Sequence, residues 1–297
     1  MTTPNDQTTR FLYVTDLHGD SRAYAELPYL CQKHGLTILI QGGDMLPKGR
    51  DMFAEQRAFL RSELPECLDR CESQGISFYG LFGNDDLQGV HEQWLELTRT
   101  RKGVHDLAQQ WHTLPGGFII RGCSWVPDYL FGLKDWCLRD APEAPPVFTR
   151  GRSVVTTTQG VEEIPNPAAF FAARPTLEEH LDSLIAPGMS MERAVMVSHA
   201  PPANLGLGRL WSGEDVGSKS VFSWVTRHQP LLTLSGHIHE SPDVGLALDG
   251  TPRYTAKVGR STCHQPGQVL PGEMNYSIIE LGADGSVRVD WRQLIFR

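Results

Sequence analysis

The sequence predicts an α/β fold in which parallel strands are joined by helical crossovers. Short β-rich runs alternate with helical patterns along the first half, and the alternation resumes after a long irregular middle. Strand after strand ends in a polar side chain just before a loop. Ligands bind at the carboxyl ends of the strands in open α/β sheets, so side chains far apart in the chain are expected to meet there.

Phe11 to Asp16 (FLYVTD) is an apolar run ending in a carboxylate, and Ser21 to His34 carries apolar residues at helical spacing. Thr37 to Asp44 (TILIQGGD) is a second strand, ending in Gly-Gly-Asp. Asp51 to Ser73 reads as one long helix, broken or kinked by Pro65, which lacks a backbone donor. Ile76 to Asn84 is a third strand. From about Thr113 to Arg174, Gly-Gly, Pro-Pro and Thr-Thr-Thr runs predict a hairpin followed by a long loop or insertion. Loops of that length in compact domains are usually functional or mobile. Thr176 and Glu179 predict a capping box. Ala194 to His199 is a strand, Pro201 to Gly217 a Gly-rich loop, Ser218 to His228 a short helix, and Leu231 to His239 a strand ending in two histidines. The tail alternates in strand fashion, with Asp284-Gly285 as a hairpin turn. No repeat or linker divides the chain. Residues 1–297 therefore read as one domain, with an insertion or lid at about 123–174.

The net charge is −8, with no basic stripe of the kind a non-specific nucleic-acid binder carries. An acidic surface is still compatible with a phosphate substrate if bound cations reverse the local field. The opening MTTPNDQTTR has no apolar run of a secretory signal. No stretch approaches the roughly 18 apolar residues that span a membrane. The six cysteines lack the paired spacing of a zinc knuckle and read as free thiols of a reducing compartment, so a cytoplasmic protein is expected.

Five motifs carry the chemistry: Asp16-Leu17-His18, Gly43-Asp44, Gly83-Asn84, Ser198-His199 and Gly236-His237-Ile238-His239. Each alone is weak, but all fall at the end of an expected strand. Asp-x-His and His-x-His would put two donors on one side of an extended backbone, since alternate residues face the same way. The glycines would let the chain turn and approach a ligand closely. Carboxylate, imidazole and amide oxygen without thiolate suit Mn²⁺, Fe, Zn²⁺, Ni²⁺ or Mg²⁺. The remaining histidines, His264 among them, are given no function.

In this order the motifs resemble the calcineurin-like metallophosphoesterase family, from about Phe11 to Glu240, with DLH, GGD, GNDD, SHAPP and GHIHE standing for its pattern. The resemblance implies two stacked mixed sheets flanked by helices, a four-layer α/β/β/α sandwich. It implies one divalent transition-metal ion on Asp16, His18 and His239, a second on Asn84, His199 and His237, and Asp44 bridging both. Mn²⁺ comes first as the metal, with Fe, Zn²⁺ or Ni²⁺ as alternatives. A hydroxide held between the ions would attack phosphorus in line. His18, Asp44 and Asp85 would be the catalytic residues, and a small phosphate ester the substrate.

Two departures refine this. Asp85 stands where many family members have the histidine credited with assisting the leaving group, and an ionised aspartate only accepts hydrogen bonds. It is either a substitute acid or a sign that assistance comes from elsewhere, and it favours a phosphodiesterase. A phosphomonoesterase and a non-catalytic metal-binding scaffold are the alternatives. The protein Ser/Thr phosphatase continuation of the second motif is absent, so Lys48 and Arg50 read as a solvated basic turn rather than phosphate contacts. Trp125, Tyr129, Phe131, Trp136 and Trp211 read as loop anchors before base-stacking groups.

Overall fold

The computed structural model describes residues 8–145, 147, 149–244, 253–268 and 272–296. The first half runs β1 (Thr9–Val14), α1 (Ser21–His34), β2 (Ile38–Gly42), α2 (Met52–Arg61), α3 (Glu63–Ser73), β3 (Ser77–Leu81), α4 (His91–Thr100) and β4 (Val104–Asp106). Strands β1 to β4 are parallel, each crossover carrying helix. Asp20 caps α1 through hydrogen bonds from the Arg22 and Ala23 N–H groups, and Gly35 closes it in the left-handed conformation. Of the break or kink expected over 51–73, the structure shows a break: two helices, separated at Ser62 (φ −126°, ψ −75°). Pro65 explains the position of the break: it has no N–H for the Arg61 carbonyl and its ring would clash with that carbonyl, so the chain breaks one turn earlier.

The second half begins with the hairpin β5 (His112–Thr113) and β6 (Ile119–Cys123). An insertion follows: β7 (Val126–Pro127), β8 (Cys137–Leu138), β9 (Val154–Thr157), β10 (Gly160–Glu163) and α5 (Pro167–Ala172). Then come α6 (Leu177–Ser183), β11 (Ala194–Ser198), α7 (Lys219–His228), β12 (Leu232–Leu234), β13 (Thr255–Val258), β14 (Ser261–His264), β15 (Glu273–Leu281) and β16 (Val287–Ile295). Helix α6 opens with the Thr176–Glu179 capping box, and Gly285 (φ 81°) turns the β15–β16 hairpin.

The strands form two six-stranded sheets, ordered β16-β15-β1-β2-β3-β4 and β13-β14-β12-β11-β6-β5. In the second sheet β6, β11, β12 and β14 are parallel, and β5 and β13 are antiparallel edges. The sheets pack face to face: Phe11, Tyr13, Ile40 and Leu81 of one meet Ile120, Val195, Val197 and Leu234 of the other. The opposite faces are covered by helices, Leu12, Val14 and Leu39 by α1 to α3, and Ala194, Met196 and Cys263 by α6 and α7. The molecule is thus a four-layer α/β/β/α sandwich. Because β1 and β2 are buried on both faces, their sequences are continuous apolar runs rather than alternating ones. Strand β14 escaped the sequence pattern because its buried residues are Ser261, Thr262, Cys263 and His264. His264, left without function, bonds Tyr254 O and Ser277 Oγ inside the sandwich. All six cysteines are free and buried, and no helix among the described residues is long and apolar enough to cross a membrane.

Candidate metal centre

The loops after β1, β2, β3, β11 and β12 converge at one end of the sandwich. The β1 and β2 loops run side by side, with Asp16 N donating to Gly43 O (2.9 Å), His18 N to Asp44 O (2.9 Å) and Gly19 N to Met45 O (2.9 Å). Across the sheets, His237 N donates to both oxygens of Asp16 (2.9 and 3.2 Å), and Tyr13 Oη donates to Ser235 O (2.9 Å). The Asp-x-His and His-x-His residues do not lie on extended backbone as expected. Strand β1 ends at Val14 and β12 at Leu234, and Asp16 (φ 54°), His18 (φ 44°), Asp44 (φ 52°) and His237 (φ 67°) are all left-handed. Strand alternation would have aimed the paired donors along one sheet face, whereas successive left-handed turns curl them inward over the strand ends. That conformation costs about 1–2 kcal/mol per non-glycine residue, and such strain concentrates at functional sites.

One oxygen or ring nitrogen from each of Asp16, His18, Asp44 and His239 lies within 4.8 Å of the others, a cluster able to hold a metal ion. His18 Nε2 faces His239 Nε2 at 3.2 Å, His239 Nε2 is 3.5 Å from Asp16 Oδ1, and His18 Nε2 is 3.8 Å from Asp44 Oδ2. The same Asp44 Oδ2 lies 3.5 Å from His199 Nε2, which is 3.2 Å from Asn84 Oδ1 and 3.9 Å from Asp16 Oδ1. The His237 ring is 5.3 Å from that of His199, centroid to centroid. The fold therefore brings together all seven residues singled out as ligands.

Electrostatics fit a cation. Burial pushes the Asp16 and Asp44 carboxyls up, but the imidazoles around them prevail and hold both below the usual carboxylate range. Burial would push His199 down, yet Asp44 and Asp16 raise it to about 10. His237 is pushed down to about 3 by burial and the charge of His199. Two buried carboxylates need compensating positive charge. The imidazoles around them, or a bound cation, could supply it. His18 Nδ1 is buried without a hydrogen-bond partner. Two imidazole nitrogens pointed at each other beside two carboxylates are satisfied by a shared cation and poorly by each other. Neutral His199 would donate from Nδ1 to Gly42 O (3.0 Å), leaving the Nε2 lone pair directed into the site.

Several positioning residues escaped the sequence reading. Asp86 accepts hydrogen bonds from Gly83 N (2.8 Å), Met45 N (3.0 Å) and Leu46 N (2.7 Å), tying two metal loops together. Gln41 braces Gly43 through both its N–H and C=O (2.9 Å each), and Gln265 donates to Gly236 O and Ile238 O. Gln41 had a signal, as the one polar side chain in an apolar run before Gly-Gly. Lys48, expected as part of a solvated basic turn, is about half exposed and also paired, its Nζ 2.6 Å from Asp85 Oδ2. Among the aromatics, Trp136 is an anchor, donating to Asp86 O (2.6 Å), and Trp125 packs on it. Tyr129 stands beside His237, with centroids 6.2 Å apart, while Phe131 and Trp211 are exposed. The insertion is fastened to the β3 loop, with Asp135 accepting from Gln88 N (2.7 Å) and Thr156 Oγ1 accepting from Gly89 N (2.9 Å).

Gly83 and Gly236 are needed for close approach. A Cβ on Gly83 would lie 2.3 Å from Asp44 Oδ1 and 2.6 Å from His199 Nε2, and one on Gly236 2.3 Å from Asp16 Oδ2. Gly83→Ala is expected to displace Asp44 and His199 and to weaken Mn²⁺ binding at least ~10-fold, the lower end for disturbed support of metal ligands. Calorimetric titration of the metal-free protein measures it; an unchanged affinity would refute the packing argument.

No family model matches the sequence, and no curated protein matches it. Solved structures do. The protein TT1561 of Thermus thermophilus superposes with a TM-score of 0.55 at 16% identity, over 96% of this chain and 99% of that one. A dimetal phosphatase from Danio rerio superposes with a TM-score of 0.51 at 11% identity, over 99% of this chain and 100% of that one. This chain therefore shares the fold of these two proteins, one of them a dimetal phosphatase.

Proposed function

We propose that this protein is a dinuclear metal-dependent phosphodiesterase acting on a small or nucleotide-like diester. The observation that carries the reading is the pair of donor groups sharing Asp44, one of Asp16, His18 and His239 and the other of Asn84, His199 and His237. Each group would hold one divalent ion, Mn²⁺ first among the candidates, and the ions would supply activation of water and neutralisation of charge on the phosphoryl oxygens. The chain's own contribution is preorganisation. Asp16 is fixed by the His237 N–H, Asp44 by the Asp85 N–H (2.8 Å), and His199 by the Gly42 carbonyl. Ligands come from the loops of both sheets, which supports one domain over residues 1–297. Segment 123–174 then serves as a wall of the site. The free buried thiols support a cytoplasmic location.

A phosphomonoesterase is the second reading, favoured by the likeness in fold to a dimetal phosphatase. The test is hydrolysis of bis-p-nitrophenyl phosphate against p-nitrophenyl phosphate by Mn²⁺-refilled protein, with His199→Ala as control. Preferred diester turnover, lost in His199→Ala, is expected. Preferred monoester turnover selects the second reading. No turnover of either ester by protein that holds its metals would leave a metal-binding scaffold.

A further inference from the structure

Lys48 and Asp85 come from different loops and meet at the rim of the metal centre. Lys48 Nζ donates to Asp85 Oδ2 at 2.6 Å, and Asn84 Nδ2 donates to Asp85 Oδ1 at 3.2 Å, so both carboxylate oxygens are engaged as acceptors. The Asp85 N–H donates to Asp44 Oδ1, which fixes the residue against the shared carboxylate. The contact is built from beneath by Gln56 of α2, which is fully buried. Its Nε2 donates to Pro47 O (3.1 Å) and Asp85 O (2.8 Å), and its Oε1 accepts from Leu87 N (2.9 Å). One side chain thus holds the residue before Lys48 and Asp85 itself at a fixed separation. An exposed ion pair contributes only about 0–1 kcal/mol to stability. Lys48 is about half exposed, so stability gives little reason for a buried glutamine to hold this pair in place.

The ammonium is held beside Asp85, whose own N–H bonds the shared carboxylate of Asp44. Burial would push Lys48 down, but Asp85 raises it, and Asp44 and Asp16 are near enough to add to the effect. Its charge is felt in turn by His239. The Lys48 side chain is about half exposed, Asp85 takes one of the donors of its ammonium, and an ammonium is a compact three-donor group suited to a single oxygen.

We infer that Lys48, positioned by Asp85 and Gln56, is a catalytic residue whose ammonium hydrogen-bonds to the departing ester oxygen. This rests on the phosphoester hydrolase reading. Hydrolysis forms a P–O bond to the oxygen of water and breaks the P–O bond to the leaving group, whose electron pair stays on the departing oxygen. The incoming water releases a proton to solvent and the departing oxygen takes one up from solvent. Lys48 keeps its own protons and stabilises the negative charge until that uptake. Asp85 is then a positioning residue and not the substitute acid.

The experiment compares methyl p-nitrophenyl phosphate, whose leaving group carries its charge easily, with methyl phenyl phosphate, whose leaving group does not. In Lys48→Ala, kcat for the phenyl ester is expected to fall about 10²-fold or more, the cost of one lost transition-state donor, against less than about threefold for the nitrophenyl ester, with KM little changed. Lys48→Arg should restore part of the loss. Asp85→Asn should shift the ratio of the two esters in the same direction by less, a change that a merely structural role would not produce. Metal content and melting temperature are measured alongside. Equal losses on both esters, or none, would overturn the inference while leaving the hydrolase reading intact. Absence of turnover by unsubstituted protein would sink that reading itself.

Discussion

Asp44→Asn is expected to lower kcat/KM on bis-p-nitrophenyl phosphate by at least ~10³-fold, the upper end of the cost of one preorganised electrostatic group. The substitution preserves shape. The amide oxygen can still accept the Asp85 N–H, so the loop that carries Asn84 and Asp85 has no reason to move. What is lost is the charge shared by the two donor groups, 3.5 Å from His199 Nε2 and 3.8 Å from His18 Nε2. His199 owes its raised proton affinity first to Asp44, so the variant also weakens the charge balance of the metal-free site. Bound Mn²⁺ per chain, measured by atomic emission after dialysis, should fall with activity. Full metal occupancy with activity within tenfold of the unsubstituted protein would refute the bridging role of Asp44, since one lost tenfold is only about 1.4 kcal/mol of barrier.

Sequence made legible which residues the fold gathers at the candidate metal centre, but not the way they are held. The strands that end at the site are apolar on both faces, and punctuation by glycine and a polar residue marks their carboxyl ends even without an alternating pattern. That is why Asp16, Asp44, Asn84 and His199 could be placed from the chain alone. The direction of their side chains could not, because Asp16, His18, Asp44 and His237 adopt left-handed backbone that no periodicity encodes. The two-sheet architecture came from the resemblance and not from the pattern, since β14 is built from polar buried residues. Gln56 occupies the buried stripe of α2 between Met52 and Phe59, where a polar side chain is out of place. That was a usable signal of a buried clamp. Asp85 was legible as a departure, but its partner was not, because Lys48 lies 37 residues away on a loop with no regular structure.

Asp86→Asn tests whether the two metal loops stand on a single carboxylate. Asp86 is fully buried, and its oxygens accept three backbone N–H groups, from Met45, Leu46 and Gly83. Met45 and Leu46 directly follow Asp44, and Gly83 directly precedes Asn84. An asparagine keeps one oxygen and turns an NH₂ toward donors that have no other acceptor among these contacts. Burial and the charge of Asp44 push the Asp86 carboxyl up while the three N–H groups favour its charged form, so the loss is set by the stranded buried donor alone, at about 1–3 kcal/mol, and about 2 kcal/mol is expected. At about 2–4 °C per kcal/mol for a chain of this size, the metal-free protein should melt about 4–8 °C lower. Mn²⁺ affinity should fall with it by about 10- to 100-fold, as for other residues that support metal ligands without touching the ion. The pairing of effects is what discriminates. Asp44→Asn removes a ligand and should move metal content far more than the melting temperature of the metal-free protein, whereas Asp86→Asn should move both together. A melting temperature for Asp86→Asn within about 2 °C of the unsubstituted protein corresponds to less than about 1 kcal/mol. It would mean that the loops are held by their backbone ladder of Asp16, His18 and Gly19 to Gly43, Asp44 and Met45, and that Asp86 only fills space between them.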